Sequence, residues 1–192
     1  MTNPNSHPPF RVLLSHDQIV RRTHELARAI LGDAGDAPPC LVVVIEGARP
    51  FARLLQRLLP GQPPLHEVRA SSYGAGTQSS GTVRLSGTDG VPAHGRDVLL
   101  LEDIVDTGRT IAALRQHFLA AGATHCRVAT LLSKPSRRVV DLDLDYVGFE
   151  IPDEFVLGFG MDLDGRYREL PDVVVYEAEV ERAFEQQRSA VG

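Results

Sequence analysis

The sequence predicts an α/β fold, a mostly parallel twisted sheet flanked by helices, on three observations. Short continuous apolar runs such as Leu41–Ile45 and Val98–Leu101 suit strands covered on both faces. Between them lie stretches whose apolar residues recur at helical spacing, and glycine or proline marks most junctions. Strands alternating with helices in this way indicate βαβ units. The 192 residues predict a single domain, at ~100–200 residues per domain, and no internal repeat or linker interrupts them.

The elements follow in order. Met1 to Phe10 holds three prolines and small polar residues and reads as a loose N-terminal arm, with the folded domain beginning near Val12. From Asp17 to Leu31, Ile19, Leu26, Ala27 and Ile30 share one helical face; Ser15 or Asp17 caps the start and Gly32 is the expected stop. A turn over Gly35–Pro39 leads into the strand Cys40–Ile45. A second helix spans Pro50–Leu59 and ends at Pro60-Gly61, and Leu65–Ser72 alternates as a strand. Tyr73 to Gly90 is rich in Gly, Ser and Thr, with a short strand at Val83–Leu85 as its one regular element; connections this long are usually lids or binding loops, or disordered. Asp97–Asp103 is the clearest strand. The helix Arg109–Ala121 follows, with Ile111, Leu114 and Phe118 on its apolar face and Gly122 as its stop. Strands are expected at Cys126–Leu132, Tyr146–Phe149 and Phe155–Phe159, and the charged tail from Glu177 reads as a surface helix or a frayed end.

Composition excludes several classes. With 43% hydrophobic and 23% charged residues the chain is not a disordered protein. Its longest apolar runs have six residues, against roughly 20 needed to span a bilayer, and its start does not read as a signal peptide. The net charge of −5 argues against a surface that grips nucleic acid throughout. Cys40 and Cys126 sit far apart without metal-ligand spacing and read as buried free thiols in a reducing cytoplasm. Of twenty basic residues, only Lys134 is lysine.

The most informative stretch runs from Leu99 to Thr110, LLLEDIVDTGRT. A buried strand ends in two adjacent carboxylates, Glu102 and Asp103; a third, Asp106, opens a small-residue turn into a helix. Ligands of open α/β sheets bind beyond the carboxyl ends of the strands, and a turn offering N–H groups and hydroxyls at a helix N-terminus is an anion site. Three carboxylates within five residues repel one another unless a cation or a polyhydroxylated ligand sits among them. The stretch therefore suits a ligand with a phosphate at one end and hydroxyls, with Mg²⁺, at the other. An ordinary strand–turn–helix with Thr107 or Asp106 as N-cap is the competing reading.

The segment Leu100–Gly108 resembles the phosphoribosyl-pyrophosphate signature of type I phosphoribosyltransferases. The chain looks like the hypoxanthine–guanine branch through Ser71–Gly74, Leu132–Arg138, Ile151–Phe159 and Asp162–Arg168, a likeness covering about residues 12–176. The resemblance implies a single-domain phosphoribosyltransferase fold with a small hood subdomain and a mobile loop that includes Ser72 and Tyr73. It implies that Glu102 and Asp103 hold the ribose hydroxyls, directly or through Mg²⁺, and that Asp106 faces purine N7 as general base or proton acceptor. Asp106, Thr107, Gly108, Arg109 and Thr110 would cradle the 5′-phosphate, although the Arg109 side chain reads equally well as solvated. Lys134 would meet O6 of a 6-oxopurine; a surface cation is the alternative, but a compact ammonium suits one carbonyl oxygen better than a planar fork does. Phe155 would stack on the base, the Val156 backbone would read its edge, and Asp162 would serve a second Mg²⁺ site, with Glu102 and Asp103 at the first. Glu46, Gly47 and Arg168 would form the pyrophosphate subsite.

Here the chain departs from the resemblance: the strand Leu41–Ile45 runs into Glu46-Gly47 rather than a basic residue and glycine. The non-proline cis peptide of the family would fall at Glu46–Gly47, the Glu46 side chain is expected to point away from the pyrophosphate, and Arg49 to supply part of the missing positive charge. Two other patterns fail. Asp141-x-Asp143-x-Asp145 begins like a calcium loop, but its sixth position is Tyr146 and its twelfth Pro152; it reads as an exposed strand edge. The seven histidines show no zinc spacing. The resemblance thus implies a cytoplasmic purine salvage enzyme, a homodimer or homotetramer, that transfers 5-phosphoribosyl from phosphoribosyl pyrophosphate to hypoxanthine or guanine with Mg²⁺, and binds neither nucleic acid nor membrane. A regulatory protein that senses phosphoribosyl pyrophosphate, or an enzyme preferring xanthine, are the alternatives.

Overall fold

The structure, a computed structural model, describes residues 7–34, 38–72 and 83–191. In chain order its elements are β1 (Arg11–Leu14), α1 (His16–Asp33), β2 (Cys40–Val44), α2 (Arg49–Leu58), β3 (Leu65–Ser72), β4 (Val83–Ser86), β5 (Asp97–Val105), α3 (Arg109–Ala120), β6 (His125–Ser133), a 3₁₀ turn (Pro135–Arg137), β7 (Tyr146–Glu150), β8 (Val156–Leu157), β9 (Val173–Val175) and α4 (Ala178–Val191). Six strands form the main sheet in the order β4-β3-β2-β5-β6-β7, parallel except for the antiparallel edge strand β4. A second, antiparallel sheet of order β1-β9-β8 is the small hood.

Alternation along the central strands assigns the two faces. Leu41 and Val43 of β2 and Leu99 and Leu101 of β5 join Ile19, Leu26 and Ile30 of α1 and Phe51 and Leu55 of α2 in one apolar core. Val42, Val44, Val98 and Leu100 point the other way, to Ile111, Leu114 and Phe118 of α3. Successive strand residues face opposite sides, so Glu102 continues the α3 face and Asp103 the face covered by α1 and α2. Cys40 and Cys126 are free and buried, as expected, and burial pushes the Cys126 thiol up to about 12.

The helices meet the expectations with small shifts. Ser15 caps α1 in a capping box: its hydroxyl accepts from the Gln18 N–H at 3.4 Å, and its own N–H donates to the Gln18 side chain at 2.9 Å. Gly32 does not stop α1; it lies in open space in the last turn, and the chain turns extended only at Ala34. The expected strand Phe155–Phe159 shortens to β8 because Gly158 and Phe159 adopt positive φ, 90° and 46°. Strands β1 and β9, four and three residues long, were not expected; they are too short to declare a period.

Three further expectations are corrected. The loose arm ends earlier: Phe10 is buried against the rings of Tyr167 and Tyr176, and Arg11 begins β1. Asp141–Asp145 forms no strand; Asp145 instead accepts from the Val128 N–H at 2.8 Å and pairs with Arg115 at 3.1 Å, which ties the segment across the end of β6. The non-proline cis peptide is Ile45–Glu46, one residue before the expected bond. The tail is α4, whose Glu181 is buried. No helix among the described residues is long and apolar enough to cross a membrane.

Candidate active site

β5 is the axis of the site. It runs two residues beyond the expected end, to Val105, because β6 keeps pairing with it: Glu102 lies opposite Thr130 and Val105 opposite Ser133, and the Lys134 N–H donates to the Val105 carbonyl at 3.0 Å. The acidic pair is thus inside the sheet rather than on a loop. Glu102 is buried, and its Oε2 has no hydrogen-bond partner among the described residues. Burial holds the Glu102 carboxyl well above the usual carboxylate range, with the charge and hydrogen bond of Asp103 adding to it. Burial raises Asp103 too, against the lowering effects of hydrogen bonds and of the Arg168 charge.

Asp103 packs on the loop after β2. A Cβ added to Gly47 would sit 1.9 Å from Asp103 Oδ2, so only glycine lets this backbone approach so close. Gly160 of the hood lies on the same loop: a Cβ there would meet the Gly47 carbonyl at 2.1 Å. Arg168 donates to the Gly160 carbonyl at 2.6 Å and pairs with Asp162 at 2.8 Å, and the second Asp162 oxygen accepts from the Gly165 N–H at 2.6 Å. Gly47, Asp103 and Gly160 therefore form one seam, with Arg168 and Asp162 at its hood end.

On the other face of β5 lies a cavity of about 100 Å³, lined by Glu102, Asp106, Thr107, Gly108, Thr110 and Ile111 among others. Gly108, the last residue of the turn and the N-cap of α3, adopts φ 83° and makes no side-chain cap. The cavity thus adjoins the positive end of α3, where the Arg109 N–H donates to the Thr107 hydroxyl at 3.4 Å, and a helix N-terminus of this kind suits a phosphate.

Lys134 and Asp106, two of the residues expected around a base, gather at the ends of β5 and β6. Lys134, only 7% exposed, reaches Asp153 at 3.5 Å. Arg137 contacts Asp153 at 3.5 Å and Asp106 at 3.1 Å, which completes a ladder of alternating charge, Lys134–Asp153–Arg137–Asp106. Arg138 donates to the Asp106 carbonyl at 2.8 Å and to the Ser133 hydroxyl at 2.9 Å. Phe155 is 53% exposed, large for an aromatic ring, and rests edge-on against Tyr176 with centroids 5.8 Å apart; Val156 is buried in β8. Asp153, Arg137 and Arg138 were missed by sequence reasoning, although all three lie within segments already singled out there.

The departure at position 46 is resolved locally. Glu46 pairs with Arg49 at 3.1 Å and Arg69 at 2.9 Å, so its carboxylate leans toward β3, whereas Asp103 lies on β5 across β2. Arg49 does not supply spare positive charge, as had been expected: its Nε is 2.8 Å from Glu67, its second amino group makes another bond of 2.8 Å to the same carboxylate, and Glu46 takes the third. Tyr73 lies outside the described residues, as do the residues after it up to 82, and Ser72 is described only as the end of β3.

The residues present fit Mg²⁺ in one manner. Mg²⁺ is usually held by one or two carboxylates together with substrate oxygens and water. Glu102 and Asp103 supply the carboxylates, and the unpartnered Oε2 is an atom that a ligand would satisfy. Asp162 stays with Arg168 rather than joining them, and among the described residues no three metal-ligating side chains cluster.

Residues 12–164 match the model of the phosphoribosyl transferase domain family. The hypoxanthine-guanine phosphoribosyltransferase of Streptococcus thermophilus is 41% identical over 170 residues, 88% of this chain and 94% of that one; that of Streptococcus mutans is 40% identical over the same shares. Among solved structures, a hypoxanthine-guanine phosphoribosyltransferase from Bacillus anthracis superposes with a TM-score of 0.82 at 37% identity, covering 86% of this chain and 98% of that one. A hypoxanthine phosphoribosyltransferase from Staphylococcus aureus gives 0.82 at 33%, covering 88% and 92%. Sequence, fold and the acidic strand end agree: the chain belongs to the type I phosphoribosyltransferase family, in its hypoxanthine–guanine branch.

Proposed function

We propose that the protein is a purine salvage enzyme that transfers the 5-phosphoribosyl group of phosphoribosyl pyrophosphate to N9 of hypoxanthine or guanine. The C1′–O bond to pyrophosphate breaks, the C1′–N9 bond forms, and the purine loses one proton. The 5′-phosphate sits in the cavity at the start of α3, and Glu102 and Asp103 take the ribose hydroxyls. Pyrophosphate leaves along the Gly47–Gly160 seam, where backbone N–H groups and Arg168 meet its charge. Mg²⁺ would be held by Glu102 and Asp103 together with donor oxygens and would supply positive charge to the leaving group; Asp162, paired with Arg168, would serve a second ion on the pyrophosphate side. Asp106 accepts the proton at N7, Lys134 donates to O6, Phe155 stacks on the ring and the Val156 backbone reads its edge.

One observation carries this reading: the ladder Lys134–Asp153–Arg137–Asp106 gathers an ammonium and a carboxylate, and its Asp153 lies two positions before the exposed Phe155, which suits a planar base with a carbonyl on one edge and an acidic N–H nearby. Because its members alternate in sign, neither Lys134 nor Asp106 waits as an uncompensated charge. The test is a panel of hypoxanthine, guanine, xanthine, adenine and uracil with phosphoribosyl pyrophosphate, following pyrophosphate release. Hypoxanthine or guanine turns over and excess EDTA stops the reaction; efficient use of adenine, which lacks O6, overturns the assignment. Asp106→Asn lowers kcat by ~10²–10⁴, the usual range for a positioned acid–base group.

A further inference from the structure

The family match ends at residue 164, yet α4 beyond it carries a carboxylate buried in the hood. Glu181 is 6% exposed. Its Oε1 accepts from the Tyr167 hydroxyl at 2.5 Å and pairs with Arg166 at 2.8 Å, and its Oε2 accepts from the Tyr176 hydroxyl at 2.7 Å. A carboxylate with this many donors is firmly held, and it holds them in return. Phe10 packs between the two phenols, 5.4 Å from one ring and 5.9 Å from the other, which closes the cluster.

Each tyrosine leads to a different part of the site. The ring of Tyr176 packs against that of Phe155 in a T-shaped pair with centroids 5.8 Å apart, and the Tyr176 N–H donates to the Phe155 carbonyl at 2.8 Å. Tyr167, at φ 73°, directly precedes Arg168, whose guanidinium reaches Gly160 and Asp162. An exposed ring that must stack on a ligand binds better when it is already held in place, and Tyr176 is the aromatic support packed on that ring.

We propose that Glu181 is a positioning residue for the substrate site. Through Tyr176 it sets the stacking face of Phe155, and through Tyr167 it sets the aim of Arg168, so α4 completes the site without touching substrate. This rests on the base and pyrophosphate subsites described under the proposed function. Because the contacts are present before substrate arrives, their loss weakens binding of ground and transition states alike and appears in KM rather than kcat.

The experiment measures KM for base and donor separately in Glu181→Ala, Glu181→Gln, Tyr176→Phe, Tyr167→Phe and Phe155→Ala, with a thermal melt of each. Glu181→Ala raises the KM for base about fivefold to tenfold and for donor about threefold, with kcat within about twofold. Glu181→Gln stays within about twofold of the parent on both, because an amide donates to one phenol and accepts from the other. Tyr176→Phe raises the KM for base about threefold and leaves that for donor unchanged, and Tyr167→Phe does the reverse. That split is the signature a merely structural role would not give, and the two tyrosine variants decide the matter should Glu181→Ala fail to fold. A lowered melting temperature with both constants unchanged, or equal shifts in both from Tyr176→Phe, overturns the proposal. Phe155→Ala separates the two levels: if it leaves the KM for base unchanged, the base-site reading is wrong, and if it raises that KM while Tyr176→Phe does not, the positioning role is wrong.

Discussion

The Asp103 carboxylate lies directly against the Cα of Gly47, so close that a methyl group at position 47 would sit 1.9 Å from Oδ2. Strand β5 and the loop after β2, which carry different parts of the proposed donor site, thus meet at a contact only glycine allows. Gly47→Ala forces Asp103 to rotate out of the seam. The expected result is a rise of at least about tenfold in the KM for phosphoribosyl pyrophosphate, ~1.4 kcal/mol, with the KM for base nearly unchanged. An alanine variant with parental donor kinetics shows that the contact is dispensable.

Glu46 stands where the resemblance implies a basic residue, and it is already paired with Arg49 and Arg69. Exposed pairs of this kind contribute ~0.2–1 kcal/mol each, so Glu46→Lys loosens the loop slightly and brings one more positive charge near the donor. The two effects oppose, and the expected change in donor KM is less than about fivefold, ~1 kcal/mol. A large gain in donor affinity contradicts the orientation of Glu46 toward β3.

Lys134→Ala leaves Asp153 with Arg137 alone and removes the donor proposed for O6. A hydrogen bond to a charged group contributes ~1.5–3 kcal/mol, so kcat/KM for hypoxanthine and guanine falls by roughly 10- to 150-fold. The donor KM changes little. Equal losses for both substrates place Lys134 outside the base subsite.

Glu102 predicts a pH dependence of stability in the absence of divalent cations. Burial raises its carboxyl well above its ordinary value of 4.5 in the folded chain. Between the unfolded and folded values the folded state keeps a proton that the unfolded state has lost, so unfolding releases it and stability falls as pH rises through that window. Glu102→Gln removes this contribution. Urea midpoints measured from pH 5 to 8 decline less in the Gln variant than in the parent, while its donor KM rises. Superimposable pH profiles contradict the buried, raised carboxyl.

The sequence by itself determined the sheet's core strands and three of its helices, because Leu41–Val44 and Val98–Leu101 are unbroken apolar runs, the apolar faces of α1 and α3 declare their periods over enough residues to be read, and Pro50 and Pro60-Gly61 bound α2. It also determined the acidic strand end, the turn into α3 and Lys134, which are contiguous motifs. What lay in short or distant pairings had to wait for the tertiary structure. The hood strands β1 and β9 hold four and three residues and exist only because they pair with each other and with β8, the two residues that remain of the expected strand Phe155–Phe159. Likewise only the folded chain decided that Glu46 turns to Arg69, 23 positions away, that Arg49 is consumed by Glu67, and that Arg137 bridges Asp106 and Asp153. Glu181 is the clearest case: in the sequence it is one charge among many in a polar tail, and its partners Tyr167 and Tyr176 reveal it as buried only once β9 and the segment before it fold against α4. Local periodicity records which face of an element is apolar, whereas a charge is placed by whichever opposite charge the fold brings within reach.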